Sequence, residues 1–231
     1  MRKLLIICLS FLFVFSTAGP NIGGTASDAG GGTPINGVWA NPMNAQSENG
    51  VSATNATLQD ADLSNYLQIV NFGFSVTAGS AIVSITDEAK MSSTSIGDGF
   101  DFNIFSCIGI KSGADDGDDP LSNPLPVNGL VWQQINATPN VTYGSTWTAV
   151  DVNASTSGLK LQLNNTDPNG LTISVDAFRR TVVYTPPSTS QRRLVGQLWR
   201  QVSEHGKTTV TEVYAYGCWL SLEDYSQEKH F

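Results

Sequence analysis

The chain has 231 residues, of which 40% are apolar, 14% are charged and 22 are glycine. This composition excludes a disordered polymer, a coiled coil and a helical array, because apolar residues are frequent enough for a core and no heptad repeat persists. The formal net charge is −8, and residues 27–178 contain 15 acidic and 3 basic side chains. Such an acidic region repels the phosphate groups of nucleic acids. Nucleic acid is therefore not expected as a partner.

The first residues have the three-part pattern of a secretory signal peptide. Arg2 and Lys3 precede an apolar run over residues 4–15, and small residues follow. The run is short for a membrane span. The pattern predicts a signal peptide over residues 1–18, with cleavage as late as residue 26. It also predicts a secreted protein, outside the cell or at its surface, with no membrane partner after the signal is removed.

A Gly-rich segment at 19–34 has no apolar periodicity and is typical of a flexible leader. From residue 35 to 185, short apolar stretches alternate with turn signals, among them four Asn-Gly dipeptides. Strands are expected at 65–74, 81–86, 102–110, 130–135, 159–163, 171–176 and 172–184. A change of apolar parity between Ala177 and Phe178 predicts a bulge or a corner. Residues 35–185 are therefore predicted to form an all-β, antiparallel β-sandwich of the jelly-roll kind.

The segment after Pro186-Pro187 is predicted to be a separate extension over residues 186–231. Its apolar residues share one helical face near 190–204, with a β-rich stretch after it; they are Leu194, Val195, Leu198, Trp199 and Val202. This spacing predicts a short C-terminal helix followed by strand. A segment of this length is too short to be stable alone. The extension is therefore expected to dock on the sandwich or on a neighbouring subunit.

Three strings of the sandwich resemble a known module. They are the string with Trp39, Asn41, Pro42, Asn44 and Ala45 that continues into NYLQIVNFGFSVTAGSAIVSI (65–85), TYGSTWTAVDVNASTSGLKLQLNN (142–165) and VDAFRRTVVYT (175–185). Over about residues 36–185 the chain resembles a β-sandwich accessory module of uncharacterised secreted bacterial and phage virion proteins. The resemblance implies a surface or adhesion module without a known active site.

Two cysteines remain after the signal segment, Cys107 and Cys218. In an oxidising compartment they could form a disulfide that closes a loop of about 110 residues, worth on the order of 4 kcal/mol. Two buried free thiols are the alternative, because both cysteines have apolar and aromatic neighbours.

Catalytic groups are scarce. His205 and His230, the only histidines, lie outside the sandwich, so it contains no Ser-His-Asp or Cys-His set. Glu48 and Glu88 are its only glutamates, and nothing in the sequence pairs them as a glycosidase would need. The protein is therefore expected not to be an enzyme.

The densest acidic cluster lies in the segment SGADDGDDP at 112–120. Its carboxylates are those of Asp115, Asp116, Asp118 and Asp119. Several oxygen ligands close together could bind calcium, although the spacing does not match an EF-hand loop. A solvated acidic loop is the alternative.

Aromatic side chains give the other candidate site. Trp132, Tyr143 and Trp147 lie near predicted strand ends and could stack against sugar rings, although most tryptophans of a sandwich belong to its core. The sequence thus predicts an exported, non-catalytic surface module that binds carbohydrate or a cell-surface polymer. The alternative is a structural subunit of an extracellular fibre, surface layer or virion, with copies of itself as partners.

Overall fold

The computed structural model describes residues 15–33, 36–93, 102–118, 120, 129–137, 143–166, 170–187, 199–204, 207–215 and 218–221. Its contacts divide the chain into two units, Met1–Pro187 and Ser188–Phe231. Each unit is described by itself.

The first unit contains two five-stranded antiparallel sheets. Sheet A comprises β1 (Ser16–Ile22), β3 (Ala53–Leu58), β5 (Ala81–Ser93), β8 (Val131–Gln134) and β10 (Leu171–Thr185), in the order β1-β10-β5-β8, with β3 also pairing with β10. Sheet B comprises β2 (Thr25–Asp28), β4 (Leu67–Val70), β6 (Phe102–Lys111), β7 (Ala114–Asp118) and β9 (Gly158–Asn165), in the order β2-β4-β9-β6-β7. The predicted all-β, sandwich-like fold is confirmed.

The alternation of apolar residues explains which side of each strand faces the core. In β9, Leu159, Leu161 and Leu163 are completely buried, as a period of two predicts. In β10 the pairing with β5 shifts between Val175 and Ala177, which confirms a bulge close to the predicted place. The bulge changes which residues of β10 point inward for the rest of the strand.

In the part of the chain that the structure describes, two short helices interrupt the strands. A 3-10 helix covers Pro42–Ala45, and α1 covers Ala149–Asn153. A capping box fixes the start of α1: the Thr148 hydroxyl accepts a hydrogen bond from Asp151 N, and the Asp151 carboxylate accepts one from Thr148 N. Among the described residues, no helix has the length and apolar character needed to cross a membrane.

The Gly-rich segment is ordered where a flexible leader was predicted. β1 pairs with β10, and β2 pairs with β4, so the segment supplies an edge strand to each sheet. A Cβ at Gly32 would lie 2.4 Å from the backbone nitrogen of Asn65, so this glycine permits close packing. Composition alone does not separate glycine needed for close approach from glycine in a flexible linker.

Hydrogen bonds also hold this segment in place. The Asp28 carboxylate accepts hydrogen bonds from the backbone N–H groups of Gly30 and Trp39, at 2.8 Å each, and from the Asn65 amide. β1 begins at Ser16, within the predicted signal peptide. Residues 1–14 lie outside the described residues, and the signal peptide and its cleavage stay predictions.

The second unit contains β11 (Trp199–Glu204), β12 (Lys207–Ala215) and β13 (Cys218–Ser221), an antiparallel sheet in that order. Residues 199–204 therefore form a strand where the C-terminal helix was predicted, whereas residues 188–198 lie outside the described part. The pairing of β11 with β12 shifts between Arg200 and Gln201. Such a shift changes the alternation along a strand, so an apolar spacing of three residues fits a strand as well as a helix. Docking of this unit stays a prediction.

Candidate binding site on sheet A

Two consecutive arginines of β10 reach opposite faces of sheet A. Arg179 pairs in register with Glu88 of β5, and Arg180 pairs with Asp87. Because successive residues of a strand alternate in direction, one arginine and its carboxylate face the core and the other pair faces outward. The two faces have different environments and different uses.

The inward pair is completely buried. Arg180 donates to both oxygens of Asp87, at 2.7 and 2.9 Å, and also to the carbonyl oxygen of Gly158 in sheet B, at 2.9 Å. The side chains of Arg180 and Asp87 are 1% and 0% exposed. The Tyr143 hydroxyl donates a further hydrogen bond to Asp87. This network links the two sheets through polar groups that are paired with one another.

Electrostatics keep these groups in fixed protonation states. Burial opposes the charge of Arg180, but the neighbouring Asp87 carboxylate outweighs it and raises the pKa of Arg180. Burial and the Asp87 charge raise the pKa of Tyr143 well above its usual range, so its hydroxyl stays protonated and donates. The guanidinium carbon of Arg180 also lies 5.0 Å from the Phe72 ring centroid and 5.4 Å from that of Trp147. The network is therefore a structural element of the core.

This arrangement places two of the three predicted ligand-binding aromatics in the core. Tyr143 is 3% exposed and Trp147 2% exposed, so neither ring offers a face to a sugar. The Trp147 indole N–H donates to Asp116 at 2.9 Å, which satisfies its polar atom internally. Position near a strand end does not specify whether a loop residue turns outward or back onto the sheets.

Trp132 is different. Among the tryptophans whose side chains are described, Trp39 and Trp147 are buried, whereas Trp132 on the edge strand β8 is half-buried. Its register partner is Lys90 of β5. Ala89, next to Lys90, is completely buried, so Lys90 and Trp132 lie on the outer face of the sheet.

The outward arginine holds this ring. Arg179 donates to both oxygens of Glu88, at 2.7 Å each, and its guanidinium carbon lies 4.2 Å from the Trp132 ring centroid. The side chains of Arg179 and Glu88 are 28% and 23% exposed. We name Glu48, Glu88, Lys90, Trp132 and Arg179 the outer-face cluster.

Glu48 completes the cluster from a distant part of the sequence. Its carboxylate accepts a hydrogen bond of 2.9 Å from Lys90 Nζ and is 42% exposed. The pKa of Glu48 is lowered, chiefly by this hydrogen bond, with smaller contributions from the Trp132 side chain and the Arg179 charge. The sequence identified Glu48 and Glu88 only as the two glutamates of the domain. Their approach to one tryptophan depends on the pairing of β5 with β8 and β10.

Residues Ala114–Asp118 of the acidic segment form β7, and their carboxylates have partners within the protein. Asp115 forms an ion pair with Lys160, with Oδ1 and Nζ 2.6 Å apart, and Asp116 accepts hydrogen bonds from Ser145 and Trp147. Asp118 accepts a 2.7 Å hydrogen bond from the backbone N–H of Cys107. Among the described residues, no group of three His, Cys, Asp or Glu could hold a metal.

The three described carboxylates thus have separate partners within the protein, and the calcium site stays a prediction. Asp119, the fourth predicted ligand, lies outside the described residues.

Cys107 is buried and forms no disulfide with any described side chain. Its sulfur lies 3.8 Å from the Tyr143 hydroxyl oxygen, and burial raises the pKa of the thiol well above its usual range. The side chain of Cys218 lies outside the described part, and the disulfide stays a prediction.

No family model, curated protein or solved structure matches the chain. The resemblance to a module of secreted bacterial and phage virion proteins thus stays a prediction, and function has to be argued from the site.

Proposed function

We propose that the protein is an exported, non-catalytic module that binds carbohydrate on the outer face of sheet A. The observation that supports this proposal is the fixed position of Trp132 on an edge strand, outside the core. Aromatic rings with an apolar face and a polar edge suit partners that are partly apolar and partly hydroxylated, as sugars are.

The outer-face cluster is arranged before any ligand binds. Glu88 holds Arg179 through two hydrogen bonds, and Arg179 lies against the Trp132 ring. A ring that is already held loses little conformational entropy on binding, which favours affinity. The partly exposed carboxylates of Glu48 and Glu88 supply hydrogen-bond acceptors for sugar hydroxyls at the same place.

The charges of the cluster favour a neutral sugar polymer over an anionic one. Arg179 is paired with Glu88, and Lys90 lies close to both Glu48 and Asp176. Both cations of the cluster are thus already paired with carboxylates. An anionic ligand would have to compete with them and would also meet an acidic domain.

Affinity electrophoresis of the full chain tests this proposal. Gels would contain a neutral glucan, a neutral mannan or the acidic polymer polygalacturonate. We expect a neutral polymer to retard the wild type and Trp132→Ala to lose the retardation. Phe105→Ala is the matched control, because Phe105 is 53% exposed but lies on β6 of sheet B, and it should bind as the wild type does. Equal retardation of Trp132→Ala and the wild type would contradict the proposal, as would binding only to polygalacturonate.

A structural subunit is the second candidate, and one observation favours it. The described part of the second unit is a three-stranded sheet within a short segment, Ser188–Phe231, which would be marginal if left without a partner surface. Assembly of the full chain at micromolar concentration, measured by sedimentation velocity without any polysaccharide, would support this second function. A monomer under the same conditions would count against it.

A further inference from the structure

Three charged side chains meet where β10 bulges beside β5. Lys90 Nζ lies 2.9 Å from Glu48 Oε1 and 3.4 Å from Asp176 Oδ2. The register shift of β10 falls between Val175 and Ala177, so Asp176 is the bulge residue. Its side chain is completely buried, although the residue is an aspartate.

The two oxygens of the Asp176 carboxylate have different surroundings. Oδ1 accepts hydrogen bonds from the backbone N–H groups of Asn49 and Gly50, at 3.3 and 2.9 Å. Oδ2 is buried and accepts no hydrogen bond from the described residues, and its charge is paired with Lys90 Nζ at 3.4 Å. A buried carboxylate oxygen that has only an ion pair is costly, because hydrogen bonds do not fully offset its desolvation.

We propose that Lys90 Nζ and Asp176 Cγ condense to an intramolecular isopeptide bond that links β5 to β10. The side-chain amine is the nucleophile, the buried carboxyl group is the electrophile, and Glu48 carries protons between them. The proposal concerns a covalent modification of the chain itself and does not depend on carbohydrate binding.

The reaction balances without any cofactor or oxidant. Glu48 first moves a proton from the Lys90 ammonium to Asp176 Oδ2, which gives a neutral amine and a neutral carboxyl group. The amine attacks Cγ, and the two backbone N–H groups stabilise the negative charge that develops on Oδ1. Glu48 then passes a second proton from nitrogen to Oδ2, and Oδ2 leaves as water. One N–C bond forms, one C–O bond breaks, and two opposite charges disappear.

The surroundings favour the amide once it forms. The side chains of Asp176, Lys90 and Glu48 are 0%, 20% and 42% exposed, so the product replaces a largely buried ion pair with a neutral group. The fold also holds the Lys90 amine and the Asp176 carboxyl group in contact, so the reaction needs no encounter between separate molecules. The hydrogen bond to Glu48 raises the pKa of Lys90, so the ammonium is the resting form. Formation is therefore slow, because the neutral amine and the neutral carboxyl group that react are a minor form of the resting ion pair.

The chain contains its own control pair. Lys160 Nζ and Asp115 Oδ1 are only 2.6 Å apart, but the Asp115 side chain is 53% exposed. This carboxylate is solvated, and condensation in water is not favoured. We therefore expect no cross-link between Lys160 and Asp115.

Mass spectrometry of the full chain tests the proposal. After prolonged incubation at neutral pH, we expect the wild type to be one water lighter than its unlinked mass. Proteolysis should then release one branched peptide containing residues 90 and 176. Glu48→Gln and Lys90→Arg should keep the full mass, whereas Lys160→Arg should still form the link.

Separate recovery of the two peptides from the incubated wild type would overturn the proposal, whatever the variants do. A branched peptide formed by Glu48→Gln at the wild-type rate would overturn the role of Glu48. A loss of water located within a single unbranched peptide is a different modification and would also contradict the isopeptide bond.

Discussion

Arg179 and Arg180 are neighbours in the sequence, face consecutive carboxylates of β5 and form two-point ion pairs of similar length. They differ in which face of sheet A they occupy. The Arg180–Asp87 pair is 1% and 0% exposed, whereas the Arg179–Glu88 pair is 28% and 23% exposed. The two ion pairs thus have a similar geometry and differ in burial, and burial gives them different consequences.

The buried pair has further polar partners in the core. Arg180 also binds the Gly158 carbonyl, and Asp87 also accepts from Tyr143, so removal of either charge leaves the other isolated in the core. The outward pair contributes little to stability, since water competes with it. The outer pair contacts Trp132, and in the proposed function it positions this ring for a ligand.

The largest expected effect comes from removing the carboxylate of the inner pair. Asp87→Ala leaves Arg180 charged and without its partner in the core, which should lower the free energy of unfolding by about 3–5 kcal/mol. Glu88→Ala is the matched outer variant, and it should cost about 0–1 kcal/mol. Urea unfolding followed by circular dichroism gives both values. Equal losses for the two variants would remove the distinction between the faces.

A smaller effect is expected from the hydroxyl that supports the inner pair. Tyr143→Phe keeps the ring in the core but removes the hydrogen bond to Asp87, which should cost about 1.5–3 kcal/mol, the usual range for a bond to a charged group. The same urea titration measures it. Carbohydrate binding by this variant should be unchanged, because Tyr143 is buried. A stability equal to that of the wild type would show that the hydroxyl does not support the carboxylate.

The smallest effect concerns a carboxylate of intermediate exposure. Burial raises the pKa of Asp151, but hydrogen bonds from the Thr148 side chain and backbone and from Ser112 outweigh burial, and the pKa is lowered. A lowered pKa stabilises the fold above the ordinary aspartate value of about 4 and loses this contribution as the pH falls through the folded-state value. Asp151→Asn should therefore cost about 0.5–1.5 kcal/mol at neutral pH and close to nothing at about pH 2. A cost that does not change with pH would contradict this assignment.

Much of the fold could be predicted because it depends on local alternation. The buried leucines of β9 show a period of two, and the change of parity near Ala177 indicated the bulge of β10. The close packing at Gly32 and the strand β11 were not predicted. Both depend on neighbouring strands, the first through close backbone approach and the second through a register shift.

The candidate site could be predicted only in part. Trp132, Tyr143 and Trp147 were predicted together as ligand-binding residues, but Tyr143 and Trp147 are buried. The sequence shows that an aromatic residue is near a strand end and does not show which way its loop turns. Glu48 joins Trp132 through contacts between segments that are far apart in the chain, and no short-range pattern encodes them.

Oxidative footprinting of tryptophan in the full chain, read peptide by peptide with and without the bound neutral polysaccharide, tests the division between the two faces most directly. The account predicts that Trp132 is oxidised readily in the free protein and is protected by the polysaccharide, whereas Trp39 and Trp147 react slowly in both states. Rapid oxidation of Trp147, or a Trp132 whose reactivity is the same with and without bound polysaccharide, would contradict it.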